Sequence, residues 1–193
     1  MKILKKSFYE RDTKEVAINL LGKYLIREIE NKKIICKIVE VEAYYGKEDP
    51  ASRAYLGFPK YVVEALYGDI GFSLIYMVHS NWLLNIVAHK KSEAGAVLIR
   101  AVEPIKNITE KTDGPGKLTK ALKIDKSLNG IKVYKKGPLY VAESNSINKF
   151  EICSSKRIGV KRDLEENLRF FIKNNSYVSK NVFNFYKKQL NSI

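Results

Sequence analysis

Apolar and polar positions alternate over Ile34-Ile35-Cys36-Lys37-Ile38-Val39-Glu40-Val41-Glu42-Ala43-Tyr44, a run rich in Ile and Val that predicts a strand. Strict alternation puts Ile35, Lys37, Val39, Val41 and Ala43 on one face, and Ile34, Cys36, Ile38, Glu40, Glu42 and Tyr44 on the other. The second face starts apolar and ends in two carboxylates and a tyrosine. Carboxylates at core positions cost stability unless they are paired or functional. The alternative is that Glu40 and Glu42 stand exposed where the strand leaves the sheet.

The flanking pattern predicts the remaining elements. Asp12 with Glu15 three residues on opens a helix whose apolar stripe is Val16, Ala17, Leu20 and Leu21, with Gly22 as its stop. Tyr24–Ile29 is a strand, joined to the central run through Glu30-Asn31-Lys32-Lys33 as a hairpin. Residues 45–60, with Gly46, Pro50, Gly57 and Pro59, read as a long irregular loop of the kind that often carries function. A short helix follows at Tyr61–Leu66. Gly71–Val78 is a strand with Phe72, Leu74, Tyr76 and Val78 on one side, turning through His79-Ser80-Asn81 into Trp82–Ala88. This second hairpin is expected to present His79, Asn81 and Trp82 at its tip.

Ala94–Val102 is a third strand in which Arg100 is a lone charge among apolar neighbours. Such an arginine is rarely buried without a partner, and Glu42 is the candidate. Asp113-Gly114-Pro115-Gly116 turns into a basic helix, Lys117–Lys123. That entry reads either as an ordinary turn or as a phosphate cradle built on backbone N–H groups and Lys117. Later strands are expected at Gly137–Ala142, Phe150–Cys153 and Leu168–Ile172, with a basic loop at Lys156–Arg162 and a terminal helix or tail at Asn181–Leu190. No repeat or linker divides the chain, so residues 1–193 read as one domain.

Composition narrows the class. The 45% hydrophobic and 11% aromatic content describes an ordered globule. No apolar run reaches membrane-span length, and the basic N-terminus lacks a secretory apolar region. Two cysteines without a C-x-x-C pattern and two histidines argue for a reduced, cytoplasmic protein without zinc. The net charge is +14 and uneven: residues 1–105 hold 16 basic and 13 acidic residues, residues 106–193 hold 19 and 8. A polyanionic partner fits this asymmetry, a nucleic-acid backbone being the commonest; a generally lysine-rich proteome is the alternative. Neither a Walker-A nor a dinucleotide glycine fingerprint is present.

Several blocks, taken in order, are specific. Val41-Glu42-Ala43-Tyr44 with Gly46 and Asp49-Pro50-Ala51-Ser52, then Leu98-Ile99-Arg100-Ala101-Val102-Glu103-Pro104, then Gly114-Pro115-Gly116-Lys117-Leu118 with Ala121-Leu122, then Arg157-Ile158-Gly159-Val160, and finally Leu168-Arg169-Phe170 and Tyr177-Val178-Ser179 resemble the alkyladenine (3-methyladenine) DNA glycosylase family. The resemblance implies one α+β domain on a curved, mostly antiparallel sheet with peripheral helices and a protruding hairpin that enters the DNA minor groove. It implies a monomer that needs no cofactor or metal, works near the nucleoid, and takes as partner double-stranded DNA containing alkylated bases.

By matching motif, Glu42 activates water and Arg100 helps hold that water and the carboxylate. Tyr44 and Tyr76 stack on the flipped base, and Asn85 excludes normal guanine. Lys117 and the Arg157–Val160 loop approach the DNA backbone and the site, with Lys161 and Arg162 beside them, and His79 takes the place of the wedge. Arg53 stands where the family has histidine. The tip His79-Ser80-Asn81-Trp82 is a residue shorter than the family's hairpin, the loop from Asn85 to Arg100 is longer by two, and Lys161-Arg162-Asp163 replaces a glycine-containing segment.

The chemistry suits these residue types. Extruding a base costs a few kcal/mol, and stacking on aromatic rings returns about 1–3 kcal/mol per base. A cationic alkylated purine gains further from electron-rich rings. Glutamate, with a reference pKa of about 4.3, is ionised at neutral pH and can take a proton from water. No lysine is placed for a Schiff base, which favours a monofunctional enzyme. Two rivals remain: a metal-dependent nuclease using Glu40 and Glu42 as ligands, and a non-catalytic damage-binding protein.

Overall fold

In the computed structural model, which describes residues 1–144 and 149–179, the elements run α1 (Thr13–Leu20), β1 (Tyr24–Ile29), β2 (Lys32–Tyr45), α2 (Arg53–Leu56), α3 (Lys60–Leu66), β3 (Ser73–Val78), β4 (Asn81–Val87), β5 (Gly95–Lys106), α4 (Pro115–Ala121), β6 (Leu139–Ala142), β7 (Ile152–Ser155) and β8 (Arg169–Ile172). The tail expected at Asn181–Leu190 lies outside the described residues. Among the described residues no helix is long and apolar enough to cross a membrane. The α+β class and the curved antiparallel sheet are as expected: the strands follow the order β3-β4-β5-β2-β1-β6, all antiparallel, and curl into a half-barrel.

β2 organises the sheet by changing partners along its length. Lys32–Lys37 pair with β1, whereas Glu40–Glu42 pair with β8 on that same side, and β5 runs along the other. The change falls at an irregularity where Ile38 opposes Val102 and Glu40 opposes Ala101, leaving Val39 as an extra residue. A bulge bends the strand and increases its twist. It also corrects the strict alternation expected from the sequence. Ile34, Cys36 and Ile38 share the main apolar core with Val39, Val41 and Ala43, while Ile35 packs in a separate small cluster. The inserted residue shifts the period by one, so Glu40, Glu42 and Tyr44 face away from the side that Ile34, Cys36 and Ile38 line.

Local chemistry explains the element ends. The Asp12 side chain accepts from the N–H groups of Lys14 and Glu15 and caps α1, and Gly22 follows its end at φ 81°. Glu15 turns to Arg11, at 2.6 Å, on the exposed side. Both hairpins turn through two residues with positive φ, Glu30-Asn31 and His79-Ser80, the conformation whose twist matches the flanking strands.

Four further expectations change. The segment read as irregular contains α2, capped by the Ser52 hydroxyl and ended at Gly57, φ 69°. α4 starts two residues early, because Pro115 suits a first helical turn. β5 runs past Val102 through Pro104, which opposes Cys36 beside a register shift, where a missing N–H is tolerated. Trp82 does not stand at the hairpin tip: it is half-buried against the main core, and its carbonyl accepts from the Thr119 hydroxyl at 2.9 Å. α4 therefore lies against β4. A Cβ on Gly116 would meet the Asn81 side chain at 2.6 Å, so the glycine there is required by that approach.

Candidate active site

A row of residues crosses the sheet on one face. Arg169 on β8 opposes Glu42 on β2, Glu42 opposes Leu98 on β5, Leu98 opposes Asn85 on β4, and Asn85 opposes Leu74 on β3. Residues directly opposite one another share a face. The register therefore gathers polar groups from three strands, β8, β2 and β4, that are far apart in sequence.

Glu42 has no exposed surface. Its Oε2 accepts from the Tyr44 hydroxyl at 2.8 Å and from Arg100 Nη1 at 3.3 Å, and its Oε1 accepts from the Ile158 N–H at 2.7 Å. Burial pushes its carboxyl upward, and this outweighs the downward pull of Arg100, the Ile158 N–H and Tyr44. Glu40 is equally buried but differs in kind. Burial raises it too, but Arg169 and Arg100 outweigh that effect and hold it below the ordinary range. The reading of both carboxylates as exposed is thus overturned. Their donor set is made of guanidinium, hydroxyl and N–H groups, which offers a cation no open carboxylate pair.

Tyr44 and Tyr76 line one small cavity with Arg53, Asn85, Ser52 and Val62, of about 10 Å3. That is room for about one water-sized sphere. Asn85 is buried and donates through Nδ2 to the Leu74 carbonyl at 3.1 Å. The Arg53 guanidinium lies over the Tyr76 ring, 5.5 Å from its centre. It does not reach Asp49, both of whose oxygens receive Arg157, at 2.6 and 2.7 Å.

Arg157, expected with its loop at the DNA backbone and the site, lies at the site but is turned away from the surface: its side chain has no exposed surface. It is held between Asp49 and Asp163, donates to the Ala43 carbonyl at 2.9 Å, and lies 4.5 Å over the Tyr44 ring. With its charge paired internally, it serves as the floor under Tyr44. Its neighbour Ile158 supplies the N–H to Glu42.

The exposed residues expected at the DNA lie outside this cavity. His79 at the hairpin tip and Lys117, half-exposed and 3.1 Å from Asp113, flank a groove of about 420 Å3 that also touches Ile158 and Gly159. Lys161 and Arg162 are exposed on the same loop. Four contributors went unassigned in the sequence: Asp49, Asp163, Arg169 and Ser179. Arg169 carried a usable signal, since it is a lone charge before Phe-Phe-Ile, the pattern that singled out Arg100. The Asp49–Arg157–Asp163 contact joins three loop residues and left no periodic trace.

A sequence model of the family described as methylpurine-DNA glycosylase matches residues 7–176. The chain belongs to this family. The chain is 44% identical over 183 residues to a protein of Aeropyrum pernix, covering 93% of this chain and 94% of that one. It is 44% identical over 184 residues to one of Legionella pneumophila (strain Corby), covering 93% and 100%, and 39% identical over 204 residues to one of Clostridium perfringens (strain SM101 / Type A), covering 92% and 98%. All three bear the name "Putative 3-methyladenine DNA glycosylase". With membership come the enzyme class, a DNA glycosylase, and the task, DNA repair.

Proposed function

We propose that this glycosylase flips an alkylated purine out of duplex DNA and hydrolyses its N-glycosidic bond with water activated by Glu42. The observation that carries the reading is the environment of Glu42, a fully buried carboxylate whose affinity for a proton is raised by burial, beside a cavity walled by two tyrosines. A carboxylate offers about four acceptor sites. The Tyr44 hydroxyl, Arg100 and Ile158 fill three, and one on Oε1 remains for the attacking water. As the bond to the base breaks, positive charge develops on the sugar, and the fixed carboxylate stabilises it without reorganising. The proton that water loses goes to Glu42, and the hydroxide oxygen bonds the sugar carbon that the base leaves.

Tyr44 and Tyr76 supply the stacking faces and Asn85 reads the base edge. A purine does not fit the cavity as it stands, so the Tyr76 side, which carries Arg53, moves when the base enters. His79, Lys117, Lys161 and Arg162 contact the DNA around the mouth, and the enzyme acts as a monomer. High-performance chromatography of bases released from methylated DNA tests this reading. Free 3-methyladenine and 7-methylguanine are expected from the unmodified protein and none from Glu42→Gln, with duplex binding retained. Tight binding of alkylated duplex without free base would instead make the chain a damage-binding protein.

A further inference from the structure

Glu40 takes no part in the reaction as proposed, yet donors from two strands and from the segment after β8 converge on it. Its Oε1 accepts from Arg100 Nε at 2.9 Å, Arg169 Nε at 2.7 Å and the Ser179 hydroxyl at 2.9 Å, and its Oε2 accepts from the Ser179 N–H at 2.7 Å. Glu40 has no exposed surface. For packing alone, an apolar residue of similar size would serve at no worse stability, because desolvating an ion pair costs about as much as its attraction returns. What the pair does beyond packing is visible at Arg100. One guanidinium is shared by two carboxylates, Nε on Glu40 at 2.9 Å and Nη1 on Glu42 at 3.3 Å. The shorter contact is to the carboxylate that makes no bond to substrate.

We propose that Glu40 is a positioning residue for the hydrolysis: it anchors Arg100 from behind, so that the guanidinium orients Glu42 without neutralising it. This rests on Glu42 being the general base. Arg169 and Ser179 complete the anchor, which ties β8 and the segment after it to the reacting carboxylate.

The charged and titratable groups facing Glu42 come from every side. They are Glu40 and Tyr44 on its own strand, Arg100 on β5, Arg169 opposite on β8, Tyr76 on β3, and Arg157 beside the Ile158 N–H. Arg157 is balanced by Asp49 and Asp163, and Arg169 by Glu40. Arg100 is left as the cation that acts on Glu42, and the Glu40 charge opposes it. With Glu40 neutral, Arg100 would pair with Glu42 alone and lower its proton affinity. Glu42 would then ionise at lower pH and be a weaker base.

Single-turnover release of 7-methylguanine across pH tests this. That base already carries its charge, so the acid limb of the profile reports Glu42 and not protonation of the leaving group. Glu40→Gln is expected to move the acid limb to lower pH and to cut the plateau rate by roughly ten- to a hundredfold, up to the scale set by misplacing a catalytic group. Glu40→Asp keeps the charge with a shorter reach, and should lower the plateau while leaving the limb in place. Glu40→Gln leaves Arg169 without its partner, so the double variant Glu40→Gln/Arg169→Met is made beside it and decides the matter if the single variant does not fold. The same downward shift is expected there. A limb that stays put, or moves to higher pH, in the folded variant overturns the proposal and leaves Glu40 as a structural ion. Glu42→Gln separates the two readings. If it still excises, the assignment of the base has failed; if it is inactive while the Glu40 limb is unmoved, only the positioning role has failed.

Discussion

The two tyrosine walls of the cavity at Asn85 are built differently. Tyr44 sits at the end of a fourteen-residue strand, its hydroxyl bonded to Glu42 and its ring backed by a guanidinium that two carboxylates hold. Tyr76 also carries a guanidinium, but Arg53 comes from the four-residue helix α2, is half-buried, and lies a full ångström farther from the ring centre, at 5.5 against 4.5 Å. The first wall shares its bonds with Glu42, so under the proposed mechanism any movement there displaces the chemistry. The second carries Arg53 over its ring and would meet the base but not the water. On the proposed reading the strands carry the reaction, and the short helix α2, in a connecting segment, carries the accommodation of substrate.

The largest expected effect comes from breaking the rigid wall. Arg157→Met removes one partner of a fully buried pair and leaves Asp49 uncompensated, which should cost about 3–5 kcal/mol of stability. Chemical denaturation measures it. Because the same loop delivers the Ile158 N–H to Glu42, excision should also fall by about a hundredfold. A variant as stable and active as the parent would show that the two walls are equivalent.

Tyr44→Phe is gentler and has a sign. It keeps the stacking ring but removes the O–H donor that holds the Glu42 carboxyl down. Burial then acts with less opposition, Glu42 binds its proton more tightly, and the acid limb of the excision profile moves to higher pH. A pH–rate series on 7-methylguanine checks this. The direction is opposite to that expected for Glu40→Gln, so the pair reads the same carboxyl from two sides. Tyr76→Phe should leave the limb where it is.

This contrast also explains how much of the molecule was legible in its sequence. Elements held by local signals were readable: the Asp12 cap, the two-residue hairpin turns, and the β-branched run of β2. The pairing of Arg100 was readable because a lone charge in an apolar strand needs a partner. The bulge at Val39 was not, since one inserted residue leaves the composition of the run unchanged while reversing which side chains share a face. Nor was the destination of Arg157. A run of basic residues at 156–162 looks uniform, and only the fold decides that one of them meets Asp49, more than a hundred positions away.

Arg53, on the Tyr76 side of the cavity, bears on substrate range. Arginine does not relay a proton near neutral pH, whereas histidine does. Neutral lesions such as hypoxanthine need a proton on the departing ring, and cationic 7-methylguanine does not. We expect the unmodified enzyme to release 7-methylguanine much faster than hypoxanthine, and Arg53→His to narrow that gap by roughly tenfold, a part of the about 10²–10⁴ that general acid help contributes. Single-turnover rates on the two duplexes decide it. Stability and the 7-methylguanine profile should hardly change, because Arg53 is bonded to neither Glu42 nor its partners in the rigid wall.

The smallest expected effect tests the outer surface of that same wall. Arg157 and Lys161 are four residues apart on one loop, the first buried in an ion pair and the second exposed. Charge alone would give them the same role in DNA binding. If burial decides, Lys161→Ala should weaken damaged and undamaged duplexes alike and flatten the slope of log affinity against log salt by about 0.9, the contribution of one phosphate contact. Lys117→Ala and Arg162→Ala should each behave the same way. Arg157→Met, assayed where it remains folded, should leave the slope unchanged while excision falls. Fluorescence anisotropy over a salt series gives all four slopes. A flattened slope in Arg157→Met with none in Lys161→Ala would mean that the loop turns over on DNA, bringing the buried guanidinium out to phosphate, and the floor under Tyr44 would then belong only to the free enzyme.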